Sequence, residues 1–211
     1  MSHLFNSQAN SHSNWRQLLE NVYQGRSLYP FRGGQNIPLR SHEIWVVCRG
    51  IAQLSTLHPN GDEVSLGLVG PSMPFGLPLT LLNPYQAIAL SDVDLMRFTM
   101  VEVESSPQLM QGIFRHLSLR LQRTEAMLAL VSHRRVEDRL RQLLLLLKDE
   151  IGQPTTAGTR LSVRLTHQHL ANAIGSTRVT VTRALGHFQA ENLLKIDRDR
   201  HILLMNNFTG V

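Results

Sequence analysis

The first half of the chain consists of short apolar runs, several alternating with polar residues, and turn residues separate one run from the next. A period of two residues is typical of strands that bury one face. Asn60-Gly61 joins two of these runs and favours a tight hairpin, because both residues tolerate a positive φ. The pattern predicts a sandwich or barrel of short strands, preceded by a helix over Trp15–Tyr23. The predicted strands are Ile37–Arg40, Ile44–Cys48, Ile51–Leu57, Val64–Val69, Ala87–Leu90 and Val93–Phe98.

The hydrophobic period lengthens after Ser106-Pro107, where Ser can cap a helix and Pro fits the first helical position. A narrow apolar seam follows, with spacings near those of a heptad. A long helix with such a seam is typical of pairing with a partner helix, and we predict a homodimer built on it. The alternative is that the seam packs on the β domain of its own chain. The seam residues are Met110, Ile113, Leu117, Leu121, Leu128 and Val131.

A second amphipathic helix is predicted over Arg135–Ile151, and Gly152 and Pro154 are expected to end it. The polar residues 152–158 are predicted to form a loop. These patterns predict an α+β chain with three parts: a β-rich domain over residues 1–104, a dimerisation helix over 105–133 and a C-terminal domain over 134–211.

The charges are divided unevenly between the two halves of a chain whose net charge is +5. Residues 1–104 carry six Lys or Arg and eight Asp or Glu, whereas residues 105–211 carry fifteen and eight. The basic half indicates a nucleic-acid partner. No apolar run approaches the about 20 residues that span a bilayer, no secretory signal is visible, and the lone Cys48 cannot form an intrachain disulfide. We therefore predict a cytoplasmic protein without a membrane partner.

Residues 165–185 carry the pattern of a helix-turn-helix. Thr166 can cap the first helix, and the small Ala171 lets a second helix cross closely. Gly175 supplies the positive φ of a tight turn, and Ser176 or Thr177 can cap the second helix. Core-facing residues recur four apart in both helices: Leu170 and Ile174 in the first, Val181 and Leu185 in the second.

The opposite face of the second helix predicts a DNA-reading surface. Arg can bond both major-groove acceptors of a guanine, and the first turn of a recognition helix is where base contacts usually fall. We therefore predict base contacts for Arg178 and Val179, and phosphate contacts for Thr177, Thr180 and Arg183. The full predicted DNA-binding set on these two helices is Thr166, Ser176, Thr177, Arg178, Val179, Thr180, Thr182 and Arg183.

Two strand-like runs, Leu194–Ile196 and Ile202–Leu204, follow and predict a β-hairpin wing. Its charged tip contains Arg198 and Arg200, which are predicted to contact backbone phosphates. The alternative for these arginines is a solvated turn with no ligand. Helix, turn, helix and hairpin together predict a winged helix-turn-helix.

Two other functions fit parts of the sequence. A winged helix can serve protein contacts alone. A jelly-roll metal enzyme would place ligands on neighbouring strands, and His42 and His58 lie near predicted strands, but no third ligand completes a set. The residues favour a DNA-binding regulator and no catalytic or metal site.

The chain resembles the family of cyclic-AMP receptor protein and fumarate–nitrate regulators, here called the Crp/Fnr family. The segment 174–183, Ile-Gly-Ser-Thr-Arg-Val-Thr-Val-Thr-Arg, is similar to the recognition segment of the cyanobacterial global nitrogen regulators. The resemblance implies a β-roll sensor of the jelly-roll type, a long dimer helix and a C-terminal winged helix. It also implies a palindromic target with GTA and TAC half-sites, and contact with RNA polymerase.

In this family the β-roll ends in a cassette that binds a small anionic effector. Phe75-Gly76-Leu77 stands where the cassette begins. Cyclic-nucleotide binders continue with a Glu and a later Arg-Ser or Arg-Thr pair, whereas Pro78, Tyr85 and Gln86 follow here. The resemblance therefore implies no cyclic-nucleotide site, and the single cysteine excludes a cysteine-bound iron–sulfur cluster.

An Arg and a Glu on the dimer helix help to form the 2-oxoglutarate site of the global nitrogen regulators, and Arg120 and Glu125 match them. Arg suits a dicarboxylate because it can bind one bidentately. The resemblance thus implies an effector site of Phe75, Gly76, Leu77, Arg120 and Glu125, with 2-oxoglutarate as one candidate and no required cofactor. The alternatives are surface ion pairs at the seam, and a regulator that needs no effector or answers to a protein partner.

Overall fold

The structure, a computed structural model, describes residues 26–209. The predicted helix Trp15–Tyr23 lies outside this range. The described strands are β1 (Tyr29–Phe31), β2 (Glu43–Arg49), β3 (Ala52–Leu57), β4 (Glu63–Val69), β5 (Pro74–Phe75), β6 (Gln86–Ala89), β7 (Val93–Thr99), β8 (Gly152–Thr155), β9 (Gly158–Leu161), β10 (Leu194–Ile196) and β11 (Ile202–Met205). The helices are α1 (Met100–Ser105), α2 (Pro107–Val131), α3 (Val136–Ile151), α4 (His167–Ile174) and α5 (Arg178–Ala190), with a 3-10 turn over Leu77–Leu79.

Two compact units make up the chain. Within the described residues, the first takes in residues 26–52 together with Leu68–Arg120, and the second takes in Gln53–Gly67 together with residues 121–209. The strands form three sheets, with the orders β1-β7-β2-β5, β4-β3-β6 and β10-β11-β9-β8. A β-rich first half, a long helix and a C-terminal winged helix confirm the predicted α+β fold class. None of the described helices is long and apolar enough to cross a membrane.

One predicted strand is wrong. Residues 37–40 form no strand, although Ile37 is buried and its neighbour Asn36 makes an isolated bridge to Ile88. Pro38 has no N–H to donate to a sheet ladder. Its carbonyl instead accepts a hydrogen bond of 3.0 Å from the indole Nε1 of Trp45.

The start of α2 follows the local chemistry of its sequence. Pro107 is the first helical residue, and the Ser106 hydroxyl accepts from the Leu109 N–H at 3.3 Å. Ahead of it, Thr99 and Glu102 form a reciprocal capping box that starts the short helix α1. Arg26 donates to the Glu102 carboxylate at 2.6 Å, and this hydrogen bond, with one from the Thr99 backbone, lowers the Glu102 pKa to about 2.

The apolar seam of α2 differs from its prediction at Ile113, Leu117 and Phe114. Leu117 is partly buried and packs against the core cluster that also holds Ile113. Ile113 is buried in a core cluster with Leu109, Val46 and Phe98, so it packs within its own chain. Phe114, which the prediction left out, is 69% exposed instead. The large apolar residues exposed on α2 follow heptad spacing, and we call them the α2 seam: Met110, Phe114, Leu121, Leu128 and Val131.

The predicted helix over residues 135–151 is confirmed as α3, with Gly152 as its C-cap. The predicted loop 152–158 is wrong, because β8 and β9 pair there as an antiparallel hairpin. Pro154 is tolerated in β8 because β8 is the edge strand of its sheet. The hairpin carries the chain from α3 towards the helix-turn-helix.

The C-terminal domain is built on a core contributed by every one of its helices. Leu140 and Leu144 of α3, Leu170 of α4 and Phe188 of α5 are fully buried. The Phe188 ring meets the Phe208 ring edge to face, with the Arg141 guanidinium over both. The stack secures the chain after β11 against the helix that carries the predicted DNA-reading surface.

Candidate DNA-binding surface

The turn between α4 and α5 has the backbone conformation that the sequence predicts. Gly175 caps the C-terminus of α4 in the left-handed region, with φ 60° and ψ 54°. Most residues avoid this conformation, and glycine adopts it without steric cost. Ala171, which is predicted to let the two helices cross closely, is fully buried. The turn therefore fixes the angle at which α5 leaves α4.

Threonine side chains cap both helices. Thr166 accepts from the His169 N–H at 3.1 Å, and its own N–H donates back to the His169 ring at 3.4 Å. Thr177 caps α5, because its hydroxyl accepts from the Thr180 N–H at 3.2 Å and lies 2.9 Å from the Thr180 hydroxyl. Of the two predicted caps for α5, Thr177 is the one observed. Ser176 instead uses its backbone N–H, which donates to the Ala171 carbonyl at 3.0 Å.

The two faces of α5 separate as predicted. Val181 and Leu185 are buried. Arg178 on the first turn of α5 and Arg183 on the second are exposed, and Val179 is 67% exposed. An apolar β-branched side chain held in water on the first turn of a helix gains nothing from the fold. The exposure leaves Val179 accessible, and its predicted base contact stays a prediction.

The hydroxyl of Thr182 is engaged within the protein. It donates to the Arg178 carbonyl at 2.8 Å and lies 2.7 Å from the Nδ1 atom of His167 at the start of α4. This contact ties the N-terminal turn of α4 to the middle of α5. Among the predicted contact residues, Thr182 thus has a positioning role in the structure, and its contact with DNA stays a prediction.

The turn of the wing is held in place by ion pairs to a neighbouring strand. Arg160 of β9 donates to Asp197 at 2.6 Å and pairs with Asp199 at 3.4 Å. The hydrogen bond from Arg160, with a second from the His201 N–H, lowers the pKa of Asp197. Both acidic groups of the tip are therefore paired with one arginine.

Arg198 and Arg200 at the tip of the wing are exposed. Arg200 takes a left-handed φ of 63°, which closes the turn. With Asp197 and Asp199 paired to Arg160, the remaining charge at the tip is positive, as a phosphate contact requires.

Two further features of this unit escaped the sequence reasoning. Arg164 is exposed two residues before the α4 cap, and only its position near Thr166 could have drawn attention to it.

The hairpin of β3 and β4 lies against α4, where the Asn172 amide donates to the Glu63 carboxylate at 3.0 Å. Partial burial lowers the pKa of the neighbouring His169, and the charge of Glu63 partly opposes the shift. Asn172 and Glu63 are 109 residues apart, so no local pattern could reveal their contact.

The predicted effector cassette lies in the first unit. Phe75 is fully buried in β5. Gly76 has a φ of 154°, and a Cβ there would lie 2.6 Å from the Glu43 carbonyl oxygen, so only glycine fits. Leu77 begins the 3-10 turn and is partly exposed.

Arg120 and Glu125 of α2 have different surroundings. The Arg120 guanidinium donates to the Tyr85 hydroxyl at 3.1 Å, so the loop before β6 and the helix α2 meet at this hydrogen bond. Burial raises the pKa of Tyr85 against the opposing effect of Arg120, so the phenol stays neutral at physiological pH. Glu125 is exposed. A joint effector site of these residues stays a prediction.

A helix-turn-helix followed by a paired hairpin wing is typical of DNA-binding proteins, and comparison with known proteins supports this class. Residues 138–207 match the Crp-like helix-turn-helix domain. The chain is 36% identical over 166 residues to the regulatory protein CysR of Synechococcus elongatus, covering 77% of each chain. It is 32% identical over 170 residues to the global nitrogen regulator of a Nostoc species, covering 76% of each.

The solved structures agree on the fold. A Crp/Fnr-family transcriptional regulator from Thermus thermophilus superposes with a TM-score of 0.70 at 24% identity, over 85% of this chain and 94% of that one. The chain belongs to the Crp/Fnr family of transcription regulators. The predicted family is confirmed, and the enzyme alternative is excluded because the relatives are regulators.

Proposed function

We propose that the protein is a homodimer that binds a palindromic DNA site, with one α5 helix in the major groove of each half-site. The observation that carries this proposal is the α2 seam. Phe114, Leu121 and Leu128 are 69%, 61% and 70% exposed, although each is large and apolar. Contiguous exposed apolar side chains mark an interaction surface.

A second copy of α2 is the partner that fits the seam. The seam residues from Met110 to Val131 are separated by four, seven, seven and three residues, which keeps them on one side of a supercoiled helix. A two-fold axis brings the same face of both copies together, so a self-complementary apolar stripe is covered over its full length. The division into residues 1–104, 105–133 and 134–211 stays a proposal, with the α2 seam in its middle part.

A two-fold dimer presents two recognition helices about 34 Å apart, one helical turn of DNA. On each, Arg178 is proposed to bond a guanine, and the Val179 methyl groups to touch a thymine methyl. The GTA and TAC half-sites follow from the resemblance to global nitrogen regulators, with which this chain shares 32% identity. The remaining predicted residues, Thr166, Ser176, Thr177, Thr180, Thr182 and Arg183, are proposed to hold phosphates or position these readers.

The wing is proposed to add phosphate contacts, which gives a first prediction. Arg198→Ala is expected to weaken binding to all sequences alike and to lower the slope of log Kd against log salt by about 1. Fluorescence anisotropy with cognate and scrambled duplexes at several salt concentrations measures both. Arg40→Ala removes an exposed charge of the first unit and serves as the control. A loss restricted to the cognate duplex would contradict a phosphate role for Arg198.

The regulator is proposed to need no cyclic nucleotide. Pro78 has no N–H, so the cassette lacks a backbone donor at this position. The uncharged Tyr85 hydroxyl accepts a hydrogen bond that the Arg120 guanidinium could otherwise donate to an anionic ligand. The cassette loop is thus joined to the dimer helix by the protein's own side chain. Control by a protein partner is compatible with this arrangement.

The second prediction concerns 2-oxoglutarate, the candidate effector at Arg120 and Glu125. We expect titration with 2-oxoglutarate to leave the DNA affinity of the wild-type protein unchanged. The reason is that the Tyr85 hydroxyl already accepts a hydrogen bond from the Arg120 guanidinium. Calorimetry with the protein alone and anisotropy with DNA are the two measurements. An affinity change that disappears in both Arg120→Ala and Glu125→Gln would contradict effector independence and make these residues ligands.

The mass of the protein and its complex tests the dimer. Sedimentation equilibrium is expected to give a mass twice the 23.8 kDa of the chain. Titration of a palindromic duplex with the protein is expected to saturate at two chains per duplex. A monomer that binds one chain per duplex would overturn the proposal. Contact with RNA polymerase and a location in the cytoplasm stay predictions from the family resemblance.

A further inference from the structure

Gly186 stands in the interior of the recognition helix α5, where glycine is unfavourable. Glycine in a helix interior lowers the stability of the helix relative to alanine. Two structural reasons commonly justify that cost: a positive φ, or a neighbour too close for a Cβ. Gly186 has neither, because its φ lies outside the positive region and a Cβ built on it meets no atom of the described protein within 4 Å.

The position of Gly186 on the helix suggests an external reason. It follows Val179 by seven residues, so the two lie about 20° apart around the axis and about 10.5 Å apart along it. Arg183, three residues earlier, is exposed on the same side. Gly186 therefore lies on the same side of α5 as the proposed base reader Val179, two turns further along the helix. We call this side the Val179 line.

The neighbours of Gly186 indicate which way this line faces. His187 turns to the other side, with ring nitrogens 3.5 Å from the carboxylates of Glu137 and Glu191. Leu185 is buried in the core. Position 186 is thus directed neither at α3 nor at the core, but outward along the surface that Val179 and Arg183 present.

We infer that Gly186 is a clearance residue, which lets the DNA approach the backbone of α5 closely two turns behind Val179. A helix with side chains is about 10–12 Å across, and the major groove is about 12 Å wide, so little space remains between them. The missing side chain lets the helix lie deeper and keeps Arg178 and Val179 within reach of base edges. This inference rests on the proposed function of α5.

The test compares the effect of one substitution on thermal stability with its effect on DNA affinity, because the inference predicts that the first rises while the second falls. Gly186→Ala is expected to raise the thermal midpoint of the full-length protein, because alanine favours helix and meets no atom of the described protein. The same change is expected to weaken binding to the GTA/TAC palindrome about tenfold, the cost of overpacking a fitted contact. Gly186→Leu is expected to lower the affinity for the palindrome to the affinity that the protein has for a scrambled duplex.

His187→Gln is the matched control, since it changes the next residue of the same helix, whose side chain turns away from the Val179 line. It should leave DNA affinity unchanged. Unchanged or tighter binding by Gly186→Ala would overturn the inference, and so would a lowered midpoint, because the glycine would then serve the fold. A wild-type protein that does not distinguish palindrome from scrambled duplex would instead refute the proposed function itself.

Discussion

Arg178→Ala is expected to weaken binding to the palindrome by about 1–3 kcal/mol and to relax base preference at the position that Arg178 reads. Arg178 is exposed on the first turn of α5, and the Thr177 cap fixes the direction of that turn. Loss of a bidentate contact with guanine removes discrimination as well as affinity. Anisotropy titrations against duplexes that vary one base pair at a time measure both.

Arg178→Lys is the informative control for this prediction. Lysine keeps the charge but lacks the planar fork that bonds both guanine acceptors. We expect this variant to keep the salt dependence of the wild type and to lose part of its base preference. If Arg178→Ala bound every duplex as the wild type does, α5 would not read DNA through Arg178.

The second large effect is expected from Leu121→Glu in the α2 seam. The side chain is 61% exposed in the single chain, so the substitution should leave the folded monomer intact. In a dimer it would place two carboxylates against each other in an apolar interface, where unpaired charges are costly. We expect a monomer, and a loss of about 100-fold or more in affinity for the palindrome, because the two half-sites are no longer bound together.

Gln122→Glu is the matched control, because it adds the same charge at the next, exposed position outside the seam. It should remain a dimer and bind the palindrome as the wild type does. Sedimentation equilibrium and thermal unfolding of both variants separate loss of the dimer from loss of the fold. A Leu121→Glu protein that stayed dimeric would refute the seam as the interface.

The helix-turn-helix could be predicted in detail because its determinants are local. A cap, a tight turn and core positions four apart all lie within the short segment 165–185, and Thr166, Gly175 and Val181 play the predicted parts. The same holds for Pro107 at the start of α2. The capping box of Thr99 and Glu102 was equally readable, although α1 was not predicted from it.

Features that depend on distant partners could not be predicted. Pro154 favoured a loop, and only its place on an edge strand makes β8 possible. Heptad spacing alone did not decide whether Ile113 or Phe114 faces outward, because the burial of Ile113 depends on strands far away in sequence. The Arg160 contact that shapes the wing joins residues 37 apart, and a charge count at the tip does not reveal it.

The central claim is that two α5 helices of one dimer read a palindrome. Anisotropy with three duplexes of equal length tests it most directly: a GTA/TAC palindrome, a duplex with one half-site and a scrambled duplex, each at two salt concentrations. We predict tightest binding to the palindrome, weaker binding to the single half-site and weakest binding to the scrambled duplex, with affinity falling steeply as salt rises. Equal affinity for all three duplexes at both salt concentrations would contradict the claim.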